Sequence, residues 1–221
     1  MTKLRPGWLD RAHAALREKI LIGGIVGVIC TIMYRSLQAY GWREPLLRAD
    51  CPGWSLLPFH AGWVWPYLSM FALVGLAWLA LPDAAAVRRF ALHMLGLAAV
   101  GWICFGVWPT ACIRPVGEDL PTAYRWLVAL DQPTNCFPCL HSAFSVLAAW
   151  VLAPCGGRIL RLLLWAWVAV LVVSIIALRQ HTDSDTLTGV VLGFIAGWSF
   201  RRRQSGADER LGGRAVAGDE V

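Results

Sequence analysis

Charged side chains are scarce in this sequence. Asp, Glu, Lys and Arg make up 15% of its 221 residues, whereas hydrophobic residues make up 57%. A soluble domain usually has about 25% charged residues and could not bury this much apolar surface. The shortage of charge therefore excludes a soluble globular protein, and the long apolar runs indicate an integral membrane protein.

The apolar runs also lack the strict alternation of polar and apolar residues that is typical of a transmembrane barrel. Helices satisfy their own backbone groups in hydrocarbon, so we expect an all-α fold. About 20 residues are needed for each crossing. The sequence predicts a six-transmembrane-helix bundle with spans at 20–40, 63–81, 90–108, 138–154, 159–178 and 184–200. The first span begins too far along the chain for an ordinary cleaved signal peptide, so we expect it to be retained.

The excess of basic over acidic residues, a net charge of +6, is unevenly placed. Fourteen Lys and Arg residues lie in the N-terminal arm, the 82–89 and 155–161 loops and the C-terminal tail, against five in the other three loops. The positive-inside rule therefore places both termini in the cytoplasm. The long 109–137 loop and the 179–183 turn then face outward. No segment resembles a nucleic-acid-binding module, so we expect the lipid bilayer, not nucleic acid, to be the partner.

We expect three parts along the chain. Residues 1–19 combine basic and apolar residues at roughly helical spacing, which predicts a cytoplasmic basic amphipathic arm on the inner leaflet; an ordinary lead-in would look similar. Residues 20–203 form one helical membrane domain. Residues 204–221 are rich in Gly, Ala and charge, which predicts a disordered cytoplasmic tail.

Several polar residues lie at the predicted outer ends of the spans, where each is costly unless it is solvated or used. His181 and Asp185 are four residues apart, so a helix that begins near Thr182 would bring them together. The carboxylate could then accept the Nδ1 proton of His181 and leave Nε2 as a nucleophile or base. The same pair could equally cap a helix start.

His141 stands at the start of the fourth span, where free backbone N–H groups favour a bound anion. Arg114 and Arg179 carry planar forks that match phosphate oxygens. Each of these residues alone is typical of an ordinary membrane interface. Together with His181 and Asp185 they make a set that could act on phosphate.

The motifs resemble those of the type 2 phosphatidic acid phosphatase superfamily. Its second motif commonly reads P-S-G-H or P-S-L-H, and this chain has NCFPCLHSA at 135–143. Its third commonly reads S-R, five residues, H, three residues, D, and Ser174 and Asp185 flank His181 at those distances. Arg114-Pro115 is similar to the end of the first motif. The R-Q-H before Asp185 is similar to the inositol phosphorylceramide synthase-like branch, and the resemblance covers about 100–195.

Three positions depart from the superfamily pattern. Val107 stands where the first motif has lysine, and Ile175 stands where the third has arginine. Arg179 could substitute for the latter. Cys139 takes the place of the second motif's serine, which removes a hydroxyl but keeps a backbone N–H for phosphate binding.

The resemblance implies a reaction through a phosphohistidine intermediate. His181 attacks phosphorus, Asp185 steadies the imidazolium that forms, and His141 protonates the departing alkoxide. Arg114 and Arg179 stabilise charge on the phosphate oxygens. Because arginines supply the positive charge, we expect no metal and no cofactor.

The resemblance also implies a location and a substrate class. We expect a multi-pass protein of a bacterial-type inner membrane, with its active site facing the periplasm or exterior. The expected activity is that of a lipid-phosphate phosphatase or phosphotransferase. The departures from the motifs leave a catalytically weakened relative as an alternative.

The cysteines allow two other interpretations. A membrane thiol oxidase could pass electrons from Cys136 and Cys139 to quinone. A zinc site could use Cys136, Cys139 and His141, although the two-residue spacing from Cys139 to His141 is cramped. Neither interpretation explains His181 with Asp185, or the two arginines.

Overall fold

The structure is a computed structural model that describes the backbone of residues 8–39, 47–48 and 56–216 and the side chains of residues 16–37 and 56–202. Within these ranges the fold is mainly helical. The helices are α1 (Trp8–Ala39), α2 (Val64–Ala80), α3 (Ala84–Val107), α4 (Thr122–Leu130), α5 (Leu140–Leu152), α6 (Arg158–Ala177) and α7 (Asp183–Val216). A short 3₁₀ turn at Ala61–Trp63 precedes α2, and another at Ala153–Cys155 follows α5. The two-residue strands β1 (Leu47–Arg48) and β2 (Thr110–Ala111) pair in parallel.

Four helical segments among the described residues are long and apolar enough to cross a membrane: Leu16–Leu37, Ala61–Ala80, Ala84–Val107 and Arg158–Ala177. Leu140–Cys155 is apolar but shorter. The predicted all-α, membrane-type fold is therefore confirmed. The count of six spans and the cytoplasmic position of both termini stay predictions.

Three predicted boundaries differ from the observed helix ends. The third span begins at Ala84, not residue 90, because the Asp83 carboxylate accepts a hydrogen bond from the Ala86 N–H at 2.7 Å and caps the helix. α1 begins at Trp8 and runs into the first span without a break, while residues 1–7 lie outside the described residues. α7 stays helical to Val216, since elongating an existing helix costs far less than nucleating one, and 217–221 lie outside the described residues. The arm and the disordered tail stay predictions.

α5 is the central helix of the bundle. It packs against α2, α3, α6 and α7, and Leu147, Ala148 and Ala149 in its middle are fully buried. A helix surrounded by other helices has no need to match the bilayer thickness with its own apolar surface. The shortness of α5 therefore fits its position, and its first turn is held deep among its neighbours.

Three glycines on α7, spaced four residues apart, let α7 approach α5 closely. They are Gly189, Gly193 and Gly197. A Cβ atom added at any of them would overlap atoms of α5 or of Cys139, the residue before α5. Small residues at this spacing allow helix backbones to pack closely in membranes. This packing brings the first turns of α5 and α7 together.

Gly189→Ala is expected to destabilise the protein, because its added Cβ would overlap the carbonyl oxygen of Cys139. Overpacking of this kind typically costs about 1–3 kcal/mol. The thermal unfolding temperature of the purified protein in detergent should fall. Gly75→Ala on α2 is the matched control, since a Cβ there meets nothing within 4 Å. Equal unfolding temperatures for the two variants would contradict the close packing.

The outward loop predicted at 109–137 contains a helix of its own, α4. Tyr124 and Leu127 on α4 are buried in the core, and α4 packs against α2. Arg35 of α1 donates a hydrogen bond to the Leu130 carbonyl at the end of α4, at 2.8 Å. The loop is therefore fastened to both α1 and α2, close to the residues predicted to form the site.

Candidate active site

His181 lies immediately before α7, and the cap of that helix fixes its backbone. The Asp185 carboxylate accepts from the Thr182 N–H at 2.9 Å, and the Thr182 hydroxyl accepts from the Asp185 N–H at 3.3 Å. This reciprocal arrangement is a capping box, with a carboxylate in place of the usual longer side chain. The local sequence T-D-S-D therefore holds the residue before it in one conformation.

The His181 ring is oriented by a backbone carbonyl. Its Nδ1 lies 2.8 Å from the carbonyl oxygen of Cys136. A carbonyl can only accept, so Nδ1 carries the proton and Nε2 keeps its lone pair. The prediction that Asp185 accepts the Nδ1 proton is not what the structure gives, because that carboxylate is occupied by the helix cap. Its Oδ2 still lies 4.0 Å from Nδ1, close enough to favour a positive charge on the ring.

The Cys136 carbonyl reaches His181 because the chain turns sharply at Asn135. Asn135 has a φ of 60°, in the left-handed region that asparagine adopts more readily than most residues. It is 5% exposed. This buried left-handed turn therefore places the Cys136 carbonyl where it can orient His181.

His141, in the first turn of α5, lies between His181 and a tyrosine. Its Nδ1 is 3.2 Å from the His181 Nε2, and its Nε2 is 2.7 Å from the hydroxyl of Tyr67 on α2. Because the His181 Nε2 has only a lone pair, His141 must donate from Nδ1. A neutral His141 then accepts from Tyr67 at Nε2. Three hydrogen bonds thus run in series from Tyr67 through His141 and His181 to the Cys136 carbonyl. Because that carbonyl can only accept, it determines which atom donates in each of them.

Arg114 is buried and lies behind the histidines. Its guanidinium donates to the Asp131 carbonyl oxygen, and Nη2 lies 3.4 Å from the Asp131 carboxylate and 3.5 Å from the Gln180 carbonyl. Burial lowers the pKa of Arg114, but the Asp131 carboxylate raises it, and the net shift is upward. Asp131 also accepts a hydrogen bond from Tyr34 of α1. The Arg114 guanidinium is therefore held beside Gln180, the residue before His181.

Phosphate binding by Arg179 and Cys139 stays a prediction, and both residues make contacts within the protein. Arg179 donates to the Leu57 carbonyl at 3.0 Å and is not among the residues that line the cavity described below. Cys139 precedes α5, and its backbone N–H, which we expected to bind phosphate, donates to the Asp185 carbonyl at 3.0 Å. The Cys139 thiol is buried within 4.8 Å of ring nitrogens of both histidines.

A cavity of about 510 Å³ opens beside the histidine pair. This volume falls within the range of about 300–1,000 Å³ that is common for small-molecule sites. Its lining is mostly apolar and comes from α1, α2, α3, α4 and α5, with His141 and His181 among its polar residues. The reactive nitrogens therefore border a space that accepts apolar groups.

The charge state of His181 follows from its surroundings. Burial lowers the pKa of His181 well below its ordinary value of 6.5, and the nearby His141 and Arg114 lower it further. The hydrogen bond to the Cys136 carbonyl acts in the opposite direction but does not reverse the shift. At neutral pH the ring is therefore neutral, with a lone pair at Nε2.

Sequence reasoning missed three groups of the site. Tyr67 could have been suspected, because a phenol in the apolar run WVWPYLSM needs a hydrogen-bond partner. Asp131 offered only the weaker signal of an acidic residue in a predicted outward loop. The Cys136 carbonyl gave no signal, since every residue has a carbonyl.

Comparison with known proteins identifies the region that carries these residues. No curated protein and no solved structure matches the chain. The inositol phosphorylceramide synthase-like branch therefore stays a prediction. Residues 108–207, which contain Arg114, His141, His181 and Asp185, match the PAP2 superfamily.

Proposed function

We propose that this protein is a membrane lipid-phosphate phosphatase or phosphotransferase that works through a phosphohistidine on His181. The observation that carries the proposal is the 3.2 Å approach of His141 Nδ1 to His181 Nε2 beside a largely apolar cavity. The match of residues 108–207 to the PAP2 superfamily supports phosphatase-type chemistry in general. The lipid substrate and the intermediate are our own inference.

In the first step, His181 Nε2 attacks phosphorus and forms a P–N bond while the P–O bond to the alcohol breaks. His141, protonated when the phosphate is bound, gives its Nδ1 proton to the departing oxygen. The phosphoryl group replaces the direct hydrogen bond between the two rings. Asp185 then stabilises the positive charge on the phosphorylated ring from 4.0 Å.

In the second step, water or an alcohol attacks phosphorus, and His141 takes up its proton. The P–N bond breaks and His181 regains its lone pair. Water as acceptor gives free phosphate, and an alcohol acceptor gives a new ester. Both reactions use the same residues, so the choice depends on which acceptor reaches the site.

Tyr67 suits both protonation states of His141. Its hydroxyl donates to the neutral ring at Nε2 and can accept from the same nitrogen once that nitrogen carries a proton. Tyr67 is 1% exposed, so water would not easily displace its hydroxyl from His141. It would therefore hold His141 Nδ1 toward the reacting phosphorus throughout the cycle.

The cavity favours a substrate with an apolar chain. Phe71, Trp102, Phe105 and Leu127 are among its lining residues, and α1 contributes Cys30 and Thr31. Large apolar residues of α1 such as Ile20, Ile25 and Ile32 are exposed, which is expected of a helix that faces lipid. A lipid could thus enter past α1 with its phosphate at the histidines. The distribution of basic loops favours an extracytoplasmic site, and we propose a bacterial-type inner membrane as its location.

A panel of phosphorylated substrates tests this proposal. We expect the purified protein to release phosphate from, or to transfer it between, at least one of phosphatidic acid, phosphatidylglycerol phosphate, an isoprenoid diphosphate and a phosphorylated sphingolipid. Glycerol phosphate, which has no apolar chain, should react at least about tenfold more slowly if the cavity binds that chain. Labelled phosphate recovered on an added alcohol would identify a transferase. No reaction with any member of the panel would contradict the proposal and favour a catalytically weakened relative.

The thiol oxidase alternative is disfavoured by burial. Cys136 and Cys139 are 1% and 0% exposed, so a dithiol partner could not reach them. The two thiols also lie in different groups, Cys136 with Cys112 and Asp185, and Cys139 with the histidines. Activity on the panel should therefore be the same with and without reductant.

Tyr67→Phe is expected to lower kcat for an alkyl phosphate by about 10- to 100-fold, with little change in KM, because His141 would lose the partner that orients it. The loss of kcat/KM, which reports the first step, should shrink for an aryl phosphate whose nitrophenol leaving group needs no proton. Tyr124→Phe is the matched control, since that buried phenol bonds instead to the Leu178 carbonyl at 3.4 Å. Equal losses in both variants, or a loss independent of the leaving group, would show that Tyr67 is merely structural.

A further inference from the structure

Three metal-binding atoms converge where α5 and α7 begin. The Sγ of Cys139, a ring nitrogen of His141 and a ring nitrogen of His181 all lie within 4.8 Å of one another. All three side chains are largely withdrawn from solvent, and Cys139 is fully buried. Two imidazoles and a thiolate are a donor set that zinc prefers.

The separation of the two nitrogens fits a shared metal ion. Zinc binds histidine nitrogen at about 2.0–2.1 Å, and in tetrahedral geometry two such nitrogens lie roughly 3.3–3.4 Å apart. His141 Nδ1 and His181 Nε2 are 3.2 Å apart. The separation of the two nitrogens therefore already suits a shared ion.

The outer nitrogens of both rings already have the partners that orient metal ligands. His181 Nδ1 donates to the Cys136 carbonyl, and His141 Nε2 meets the Tyr67 hydroxyl. Metal-ligating histidines almost always bond in this way to a carbonyl, a carboxylate or another polar group. Both rings also line the cavity, which leaves a fourth position open to a small ligand.

We propose that Cys139, His141 and His181 form an inhibitory binding site for Zn²⁺. The ion takes the lone pair of His181 Nε2, which is the lone pair that attacks phosphorus. The inhibition rests on the proposed function, whereas the binding does not. A serine at position 139, as in the superfamily motif, would offer no thiolate, so the cysteine would make this chain sensitive to zinc.

Binding balances with the release of one proton. Cys139 loses its thiol proton to solvent as the sulfur coordinates. The proton on His141 Nδ1 moves to Nε2, where the Tyr67 oxygen accepts it, and Nδ1 coordinates the metal. His181 already has a free lone pair at Nε2, and no electron is transferred.

A second group of donors, Cys112, Cys136 and Asp185, supplies the control. Asp185 Oδ2 in that group already accepts the Thr182 N–H, and none of the three residues lines the cavity. Cys112→Ser should therefore leave the proposed site intact. It also removes one buried thiol, as Cys139→Ser does.

The test is titration of the purified full-length protein with Co²⁺, a spectroscopic substitute for Zn²⁺, and separately with Zn²⁺ during turnover. We expect a thiolate-to-cobalt charge-transfer band at one equivalent, and loss of activity with Zn²⁺ but not with Mg²⁺, which prefers oxygen ligands. Cys139→Ser should lose the band and raise the Zn²⁺ concentration for half-inhibition at least about tenfold. Cys112→Ser should keep both. Cys139→Ala serves if the serine variant does not fold.

Three results would overturn the inference: a titration without a thiolate band, loss of the band in Cys112→Ser instead of Cys139→Ser, or bound Zn²⁺ that leaves turnover unchanged. A protein that shows the band but acts on no phosphate would overturn the proposed function and leave the metal site standing. An active protein without the band would overturn the metal site and leave the proposed function standing.

Discussion

Replacing His181 with alanine is expected to lower lipid-phosphate turnover by about 10⁴-fold or more, because the variant lacks the atom that bonds to phosphorus. The ring nitrogens of His141, which contact His181, have the proposed task of proton transfer and are not expected to replace it as the nucleophile. Initial rates with the best substrate of the panel give the measurement. A labelled phosphoryl group should also become attached to the wild-type protein, stable in base and lost in acid, and be absent from the variant.

His93→Ala is the matched control for this loss. His93 lies on α3, with Nδ1 bonded to the Arg89 carbonyl at 2.7 Å, and it is not among the residues that line the cavity. It should keep wild-type activity and a similar unfolding temperature. Turnover that survives in His181→Ala would refute His181 as the nucleophile, even if the protein proves to be a phosphatase.

Replacing His141 with alanine is expected to lower turnover of alkyl phosphates by about 10²- to 10⁴-fold, the usual contribution of a positioned acid. An alkoxide leaves poorly without a proton, whereas a nitrophenolate leaves readily. The loss of kcat/KM for a nitrophenyl phosphate should therefore be less than about tenfold. Measuring kcat/KM, which reports the first step, on both substrates separates the two effects.

His181→Ala is the reference for this experiment, because loss of the nucleophile should abolish both reactions equally. The phosphohistidine should also accumulate in His141→Ala with the nitrophenyl substrate, since the second step needs His141 as a base. An equal loss of kcat/KM on both substrates would contradict the acid role and assign His141 to binding or folding.

The sequence predicted the class of fold because the composition of a segment alone decides whether it is stable in hydrocarbon. Hydrocarbon accepts neither charged side chains nor unpaired backbone groups, so long apolar runs had to become helices wherever they lay in the bundle. Helix ends were less certain. The start of α3 at Ala84 depends on one hydrogen bond to Asp83, and α4 lies in a loop whose helical pattern is too short to stand out.

The sequence also determined which residue types meet at the site. His141, His181 and Arg114 are costly at a membrane boundary unless they are used, and the arrangement of the spans places them at one end of the bundle. The spacing of four residues correctly put Asp185 near His181. It could not show that the carboxylate caps α7, since both roles fit the same spacing.

Only the tertiary structure decided how the histidines are oriented. The acceptor of the His181 proton is a backbone carbonyl, and the partner of His141 is a tyrosine 74 residues earlier in the chain. A carbonyl belongs to every residue, and a contact across that distance depends on how α2 packs against α5. The contact of Arg179 with the Leu57 carbonyl likewise depends on the backbone, since Arg179 stands in a left-handed turn after α6. Residue identity determined the available chemistry here, whereas helix packing determined which nitrogen carries each proton.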